Sequence, residues 1–149
     1  MIKFAEHINE SLDSSYKFTK QDWTSRHGKV MFVDDDNNVF VASFDRFIID
    51  EALRGDETMF VVEVSFWQRT DRGSAMRPTN NVKNALRVYS TIGQALKAYI
   101  TEFSAEQIIF TAAVERTVEI YQRLATTIAK RLGGQVYRES RVFKVILNN

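Results

Sequence analysis

The chain is poor in the residues that build metal sites and disulfides. It has no cysteine among its 149 residues, and His7 and His27 are its only histidines. A disulfide scaffold is therefore excluded. Two histidines and no cysteine also leave very few residues from which a zinc site or a histidine-based nucleophilic triad could be built. We expect no metal site.

Other signals are also missing. There is no run of 18 apolar residues, no signal-peptide pattern at Met1–Glu6, and no Gly-Lys-Ser/Thr phosphate loop or dinucleotide fingerprint. Apolar residues nevertheless make up 44% of the sequence, and proline occurs once. These features predict a soluble, intracellular protein whose residues 1–149 form a single domain with a real core.

The clearest pattern in the sequence is a helix–strand–helix unit that begins at residue 84 and continues past residue 121 to the end of its second helix. Apolar residues at three- and four-residue steps predict one helix from Asn84 and a second that ends at Gly133-Gly134. Between them, Ile108-Ile109-Phe110 is typical of a short buried strand. The first stripe comprises Ala85, Tyr89, Ile92, Leu96, Tyr99, Ile100 and Phe103, and the second comprises Val114, Val118, Tyr121, Leu124, Ala125, Ile128 and Leu132.

The remaining segments read mainly as strands. A short helix from Ile2 to Leu12 precedes an extended segment at Tyr16, and terminal segments 135–137 and 141–147 suggest a hairpin. Apolar runs 29–33 and 39–44 flank Asp34-Asp35-Asp36-Asn37-Asn38. This turn has the opening spacing of a calcium loop, but Val39 replaces the required glycine, so a β-hairpin fits better.

The strand at Met59–Trp67 has Phe60, Val62, Val64 and Phe66 on one face and Glu63 on the other. A helix separates it from the strand at residues 107–111, which predicts that the two are parallel neighbours. The fold class that follows is mixed α/β (α+β), with a mostly antiparallel sheet.

Charge is distributed unevenly along the chain. Residues 1–66 hold seven Lys or Arg against thirteen Asp or Glu, whereas residues 67–83 hold four against one. Apolar residues show neither helical nor strand periodicity over residues 68–81, which predicts a long loop. Loops of this length are usually functional or disordered. Arg69, Arg72 and Arg77 of this loop, together with the flanking Trp67 and Lys83, form a predicted basic surface. It either contacts an anionic partner or is neutralised by the acidic half of the chain.

Two further arginines, Arg87 and Arg116, lie near the predicted helix starts. A cation is unfavourable there unless an anion compensates for it. Either a bound ligand or an acidic side chain from residues 1–66 fills that role, and the abundance of carboxylates in those residues favours an internal ion pair.

The order of elements resembles the acyl-CoA-dependent N-acyltransferase (GNAT) fold over roughly the last 120 residues. Ile120-Tyr121, with Arg116 upstream, resembles the last-helix pattern of that family. Asn84-Ala85-Leu86-Arg87-Val88-Tyr89-Ser90-Thr91-Ile92, Ile109-Phe110-Thr111-Ala112 and the segment 116–123 resemble short uncharacterised proteins of tailed bacteriophages.

The GNAT resemblance implies roles for particular residues. Tyr121 would protonate a departing thiolate, Glu63 would act as general base, and Lys83, Asn84 and Arg87 would hold the acetyl-CoA cofactor. The alternatives are a packed tyrosine and a solvated or ion-paired glutamate. The chain departs from the family at Asn81–Ala85, where no glycine allows a pyrophosphate to approach the backbone.

Two functions follow as expectations. The first is a phage-encoded, non-catalytic binding or accessory protein that uses no cofactor and contacts a host or phage macromolecule through the basic loop. Weak, non-specific nucleic-acid binding is a variant of it. The second is an N-acyltransferase that uses acetyl-CoA through a divergent cofactor loop. Either would operate in the cytoplasm of the infected bacterium, with virion association an open alternative and no membrane involved.

Overall fold

The computed structural model describes residues 15–50, 58–70, 73–75, 82–112 and 115–148. Eight strands and two α-helices lie in these ranges. In chain order they are β1 (Phe18–Gln21), β2 (His27–Val33), β3 (Val39–Asp50), β4 (Thr58–Thr70), β5 (Gly73–Ala75), α1 (Val82–Phe103), β6 (Gln107–Thr111), α2 (Val118–Leu132), β7 (Gly134–Glu139) and β8 (Val142–Leu147).

All eight strands belong to one sheet. Seven follow the order β1-β2-β3-β4-β6-β8-β7, and β5 pairs with β4 outside that path. Only β4 and β6 are parallel, with Val61 opposite Gln107 and Val64 opposite Phe110. The predictions of a mixed, mostly antiparallel sheet and of this parallel pair are confirmed. The prediction of a single domain over residues 1–149 stays a prediction.

The turn between β2 and β3 is held by its own side chains, as the hairpin interpretation requires. The Asp34 Oδ1 atom accepts backbone N–H groups from Asp36 at 3.0 Å and from Asn38 at 2.8 Å. Asn37 adopts a left-handed φ of 64°, which asparagine tolerates well. Asp34 therefore shapes this turn.

Both helices contribute to one hydrophobic core with Phe60, Val62, Val64 and Phe66 of β4. Leu96 of α1 and Leu124 of α2 are 0% exposed, Val64 and Phe110 are buried, and Phe60 packs against them. This confirms the predicted core, and α2 ends as predicted at Gly133, whose φ is 75°. Burying both stripes against one sheet is what fixes the helices in place.

The predicted loop at residues 68–81 is partly wrong. β4 continues to Thr70, and Gly73–Ala75 returns alongside it as β5, because backbone groups at the open edge of β4 can pair even where the sequence lacks alternation. α1 also begins at Val82, two residues early, and a 3₁₀ turn at Glu115–Thr117 precedes α2. The predicted helix at Ile2–Leu12 lies outside the described residues.

None of the helices in the described part of the chain is long and apolar enough to cross a membrane.

Candidate functional site

A gap opens in the middle of the sheet where the parallel strands part. The pairing of β4 with β6 ends at Val64 and Phe110, yet β4 runs on and is next paired on that side by β5, from Gln68. Among the described residues, no strand lies beside residues 65–67 on that side. We call the space between residues 65–67 and residues 110–112 the strand gap.

Tyr121 of α2 packs across the strand gap. Its ring centroid lies 5.4 Å from that of Phe66 on β4 and 6.4 Å from that of Phe110 on β6. The side chain is 3% exposed, and this burial raises the pKa of Tyr121 to about 12. A thiol has a pKa of about 8.5, so proton transfer from this tyrosine to a thiolate would be uphill by roughly 5 kcal/mol.

Glu63 lies on the opposite face of the sheet. It alternates with the core residues Val62 and Val64, is exposed, and is in register with Asp45 of β3 and Ile109 of β6. Tyr121 lies on the helix-covered face. The sheet separates these two side chains, so the structure does not bring the predicted base and acid together around one substrate.

The start of α1 carries an internal ion pair. The Arg87 Nη1 atom lies 3.2 Å from the Asp35 Oδ1 atom, and the guanidinium carbon lies 4.0 Å from the Tyr16 ring centroid. The Tyr16 hydroxyl donates to the Asp35 Oδ2 atom at 3.2 Å. The predicted pairing of Arg87 with a carboxylate from residues 1–66 is confirmed. A cofactor phosphate would have to compete with Asp35 for this cation.

For the other predicted anion-binding residues at the helix starts, the structure describes the backbone but not the side chains. Lys83 and Asn84 belong to the first turn of α1, and Arg116 belongs to the 3₁₀ turn before α2. Their side chains lie outside the described part of the structure, so only their backbone positions bear on a site.

The predicted basic surface begins on the sheet face that carries Glu63. Trp67 and Arg69 of β4 lie there, and the Arg69 Nη1 atom is 3.8 Å from the Met31 sulfur. Arg69 is exposed and has no carboxylate within ion-pair distance among the described residues. Arg72 and Arg77 lie outside the described residues.

Sequence reasoning missed how apolar this same face is. Four of its side chains are large, apolar and exposed, as the register of the strands shows: Val33, Phe47, Tyr137 and Ile146. Apolar alternation on both faces of β3 was the available signal. Three or more side chains suited to holding a metal do not come together anywhere in the described ranges.

No protein-family model matches the chain, and no curated protein matches it.

Proposed function

We propose that this chain is a phage-encoded, non-catalytic binding or accessory protein, built on a GNAT-like scaffold, that contacts a host or phage macromolecule through its basic segment. That segment runs from Trp67 through Arg69, Arg72 and Arg77 to Lys83. A protein partner is preferred, and weak, non-specific nucleic-acid binding is its variant. No cofactor takes part.

The observation that carries the proposal is the setting of Arg69. Its guanidinium is exposed, without a carboxylate partner among the described residues, on a face shared with Trp67 and the 46%-exposed Val33. Arginine and tryptophan are enriched at the energetic centres of interfaces, where a guanidinium is hard to replace. Exposed apolar neighbours supply the area that such a centre needs.

The GNAT-like part of the proposal draws support from the topology. The strand order places one parallel pair within an otherwise antiparallel sheet, with α1 as its crossover and α2 followed by the β7–β8 hairpin. This agrees with the order of elements that suggested the resemblance. The coarse architecture is shared by several kinds of protein, so it supports a scaffold and leaves the activity to be argued from the site.

The test is a triple variant, Arg69→Ala, Arg72→Ala and Arg77→Ala, measured against the partner recovered by pull-down from infected cells. Binding should fall at least tenfold while the free energy of unfolding changes by less than about 0.5 kcal/mol per substitution. The matched control replaces Lys17, Lys97 and Lys130, all exposed, with alanine and removes the same charge. If both variants lose affinity equally, the loss reflects net charge and the arginines have no specific role. If the arginine variant keeps full affinity, the partner contacts another surface.

An acyl-CoA-dependent N-acyltransferase is the second candidate, and the strand gap favours it. Residues 65–67 pair with β3 on one side, and on the other side no strand of the described residues pairs with them. The backbone groups that face the strand gap are of the kind that bind an extended, amide-containing ligand such as the pantetheine arm of acetyl-CoA. The separation of Glu63 from Tyr121 counts against it, as does the absence of glycine at residues 81–85. Thermal unfolding with acetyl-CoA is decisive, because a ligand at 100 times its Kd stabilises by about 2.7 kcal/mol. Stabilisation by acetyl-CoA and none by adenosine would favour the enzyme.

A further inference from the structure

A second feature lies at the other end of β3 and β4, away from Trp67 and Arg69. It is a cleft of about 380 Å³, lined by Ser25, Arg26, Arg46, Phe47, Ile48 and Phe60, which we call the arginine cleft. A volume of this size suits a small ligand or one or two side chains of a partner. It forms where α1 has ended at Phe103 while the two strands continue beyond it.

The guanidinium of Arg46 is held in place at the cleft. Its Nε atom donates to the Ser104 carbonyl at 2.8 Å, its Nη1 atom donates to the Ser25 carbonyl at 3.3 Å, and its central carbon lies 3.7 Å from the Phe60 ring centroid. Ser104 adopts a left-handed φ of 58° just after α1. Two neutral carbonyls and a ring orient this cation, and no carboxylate of the described residues forms an ion pair with it.

Arg26 is a second arginine in the lining of the cleft. The Arg46 backbone N–H donates to the Arg26 carbonyl at 2.9 Å, so the two residues are direct neighbours. Within the described ranges, no carboxylate lies within ion-pair distance of either guanidinium. The nearest acidic residue in sequence, Asp45, alternates to the other face and pairs with His27 there at 2.6 Å. Two arginines that line one cleft, neither paired with a carboxylate of the described residues, are suited to an anion.

Ile48 and Phe60 supply apolar lining on the face that carries Arg46. Ile48 is 55% exposed, which is unusual for a large apolar side chain beside a concave surface. The carboxyl end of α1 also lies close by and carries a partial negative charge, which opposes a dianion such as phosphate more strongly than a singly charged anion. A singly charged anion with an apolar body satisfies both halves of the lining.

We propose that the arginine cleft binds an apolar carboxylate: a carboxylate group engaged by Arg26 and Arg46, attached to an aromatic or aliphatic body that packs on Ile48 and Phe60. Two sources share this chemistry, a free apolar acid and a peptide in which an acidic side chain stands beside an apolar one. The proposal is independent of the contact made by the basic segment, since the two surfaces lie at opposite ends of β4.

The test is a titration of the full-length, ¹⁵N-labelled protein followed by amide chemical shifts. The probe is N-acetyl-phenylalanine, and for about fifteen non-hydrogen atoms a Kd of about 1 mM is expected. Shifts should concentrate at residues 25–26, 46–48 and 60. N-acetyl-phenylalanine amide, which lacks the charge, should bind at least tenfold more weakly, and phenyl phosphate should bind no better than the carboxylate. Acetyl-Glu-Phe-amide distinguishes the sources, because tighter binding than N-acetyl-phenylalanine indicates a peptide and weaker binding indicates a free acid.

Arg26→Gln should weaken N-acetyl-phenylalanine binding about tenfold, whereas Arg123→Gln, an exposed arginine on α2, is the matched control and should leave it unchanged. Arg46→Gln should abolish binding and is interpreted only if its amide spectrum stays folded. Equal binding of the acid and its amide would overturn the proposal, as would tighter binding of phenyl phosphate, an unaffected Arg26→Gln variant, or no shifts at these residues.

Discussion

Gly28→Ala tests the packing of β2 against α1 with a single added carbon. A Cβ atom built at Gly28 would lie 2.7 Å from the Tyr99 Cε1 atom and 2.8 Å from Cδ1. Carbon atoms in contact prefer about 3.5–4.0 Å, so the ring would have to retreat by roughly 0.7–1.3 Å.

Tyr99 has little freedom to retreat. It is 0% exposed, its hydroxyl donates to the Thr24 carbonyl at 2.8 Å, and its ring lies 5.2 Å from Trp23 and 4.9 Å from Phe103 by centroid. Overpacking of this kind lowers the free energy of unfolding by about 1–3 kcal/mol. Replacing a glycine within a strand raises it by about 0.5–1 kcal/mol, because glycine loses more conformational entropy on folding than alanine does. Because the ring is held so firmly, the cost of overpacking should lie in the upper half of its range, and we expect a net loss of about 1–2.5 kcal/mol and a Tm lower by about 2–10 °C.

Gly93→Ala is the matched control, because the same carbon is added in α1 where space exists. Its nearest neighbour would be the Arg131 Cδ atom at 3.4 Å, which is an ordinary contact with a flexible side chain. Alanine is favoured over glycine within a helix by about 1 kcal/mol, so this variant should be more stable than the parent.

Urea unfolding at 25 °C of both variants, and of Gly28→Ala in a Tyr99→Leu background, measures the effect. Removing the ring should relieve most of the cost of Gly28→Ala, giving a coupling energy of about 1 kcal/mol or more. The reasoning is refuted if Gly28→Ala matches or exceeds the parent in stability, or if its cost is the same without the Tyr99 ring.

The remaining predictions concern pH, the core and nucleic acid. Because burial raises the pKa of Tyr121 to about 12, the folded chain keeps a proton that the unfolded chain loses near pH 10, so stability is full below pH 10 and falls towards pH 12. Tyr121→Phe should remove about 2 kcal/mol of that fall between pH 9 and pH 11.5 in urea titrations, and an unchanged fall would contradict the assignment. Leu96→Ala should lower the free energy of unfolding by about 2–5 kcal/mol, since the side chain is wholly buried, and a loss under 1 kcal/mol would contradict its place in the core. Nucleic-acid binding, measured by fluorescence anisotropy at several salt concentrations, should show a slope of log affinity against log salt no steeper than about −4, and tight, salt-resistant binding would be inconsistent with four cations in the basic segment.

Several features could be predicted from the sequence because their causes are local. The apolar stripes of α1 and α2 follow from a 3.6-residue period, and the end of α2 follows from Gly133, which adopts the left-handed conformation open to glycine. The β2–β3 hairpin follows from turn residues that bond their own backbone. The parallel pairing of β4 with β6 follows from a rule that leaves few alternatives for a strand–helix–strand unit.

Tertiary structure decided the features that depend on which distant residues become neighbours. The sequence offered Glu63 and Tyr121 as a base and an acid, but strand alternation and the docking of α2 set them on opposite faces of the sheet. It gave no sign that β4 would extend to Thr70 and pair with β5, because pairing at a sheet edge depends on which backbone groups are left open. Arg46 shows the same limit. Its environment is made by carbonyls from Ser25 and Ser104, 21 and 58 residues away in the chain, and no local pattern encodes such a meeting.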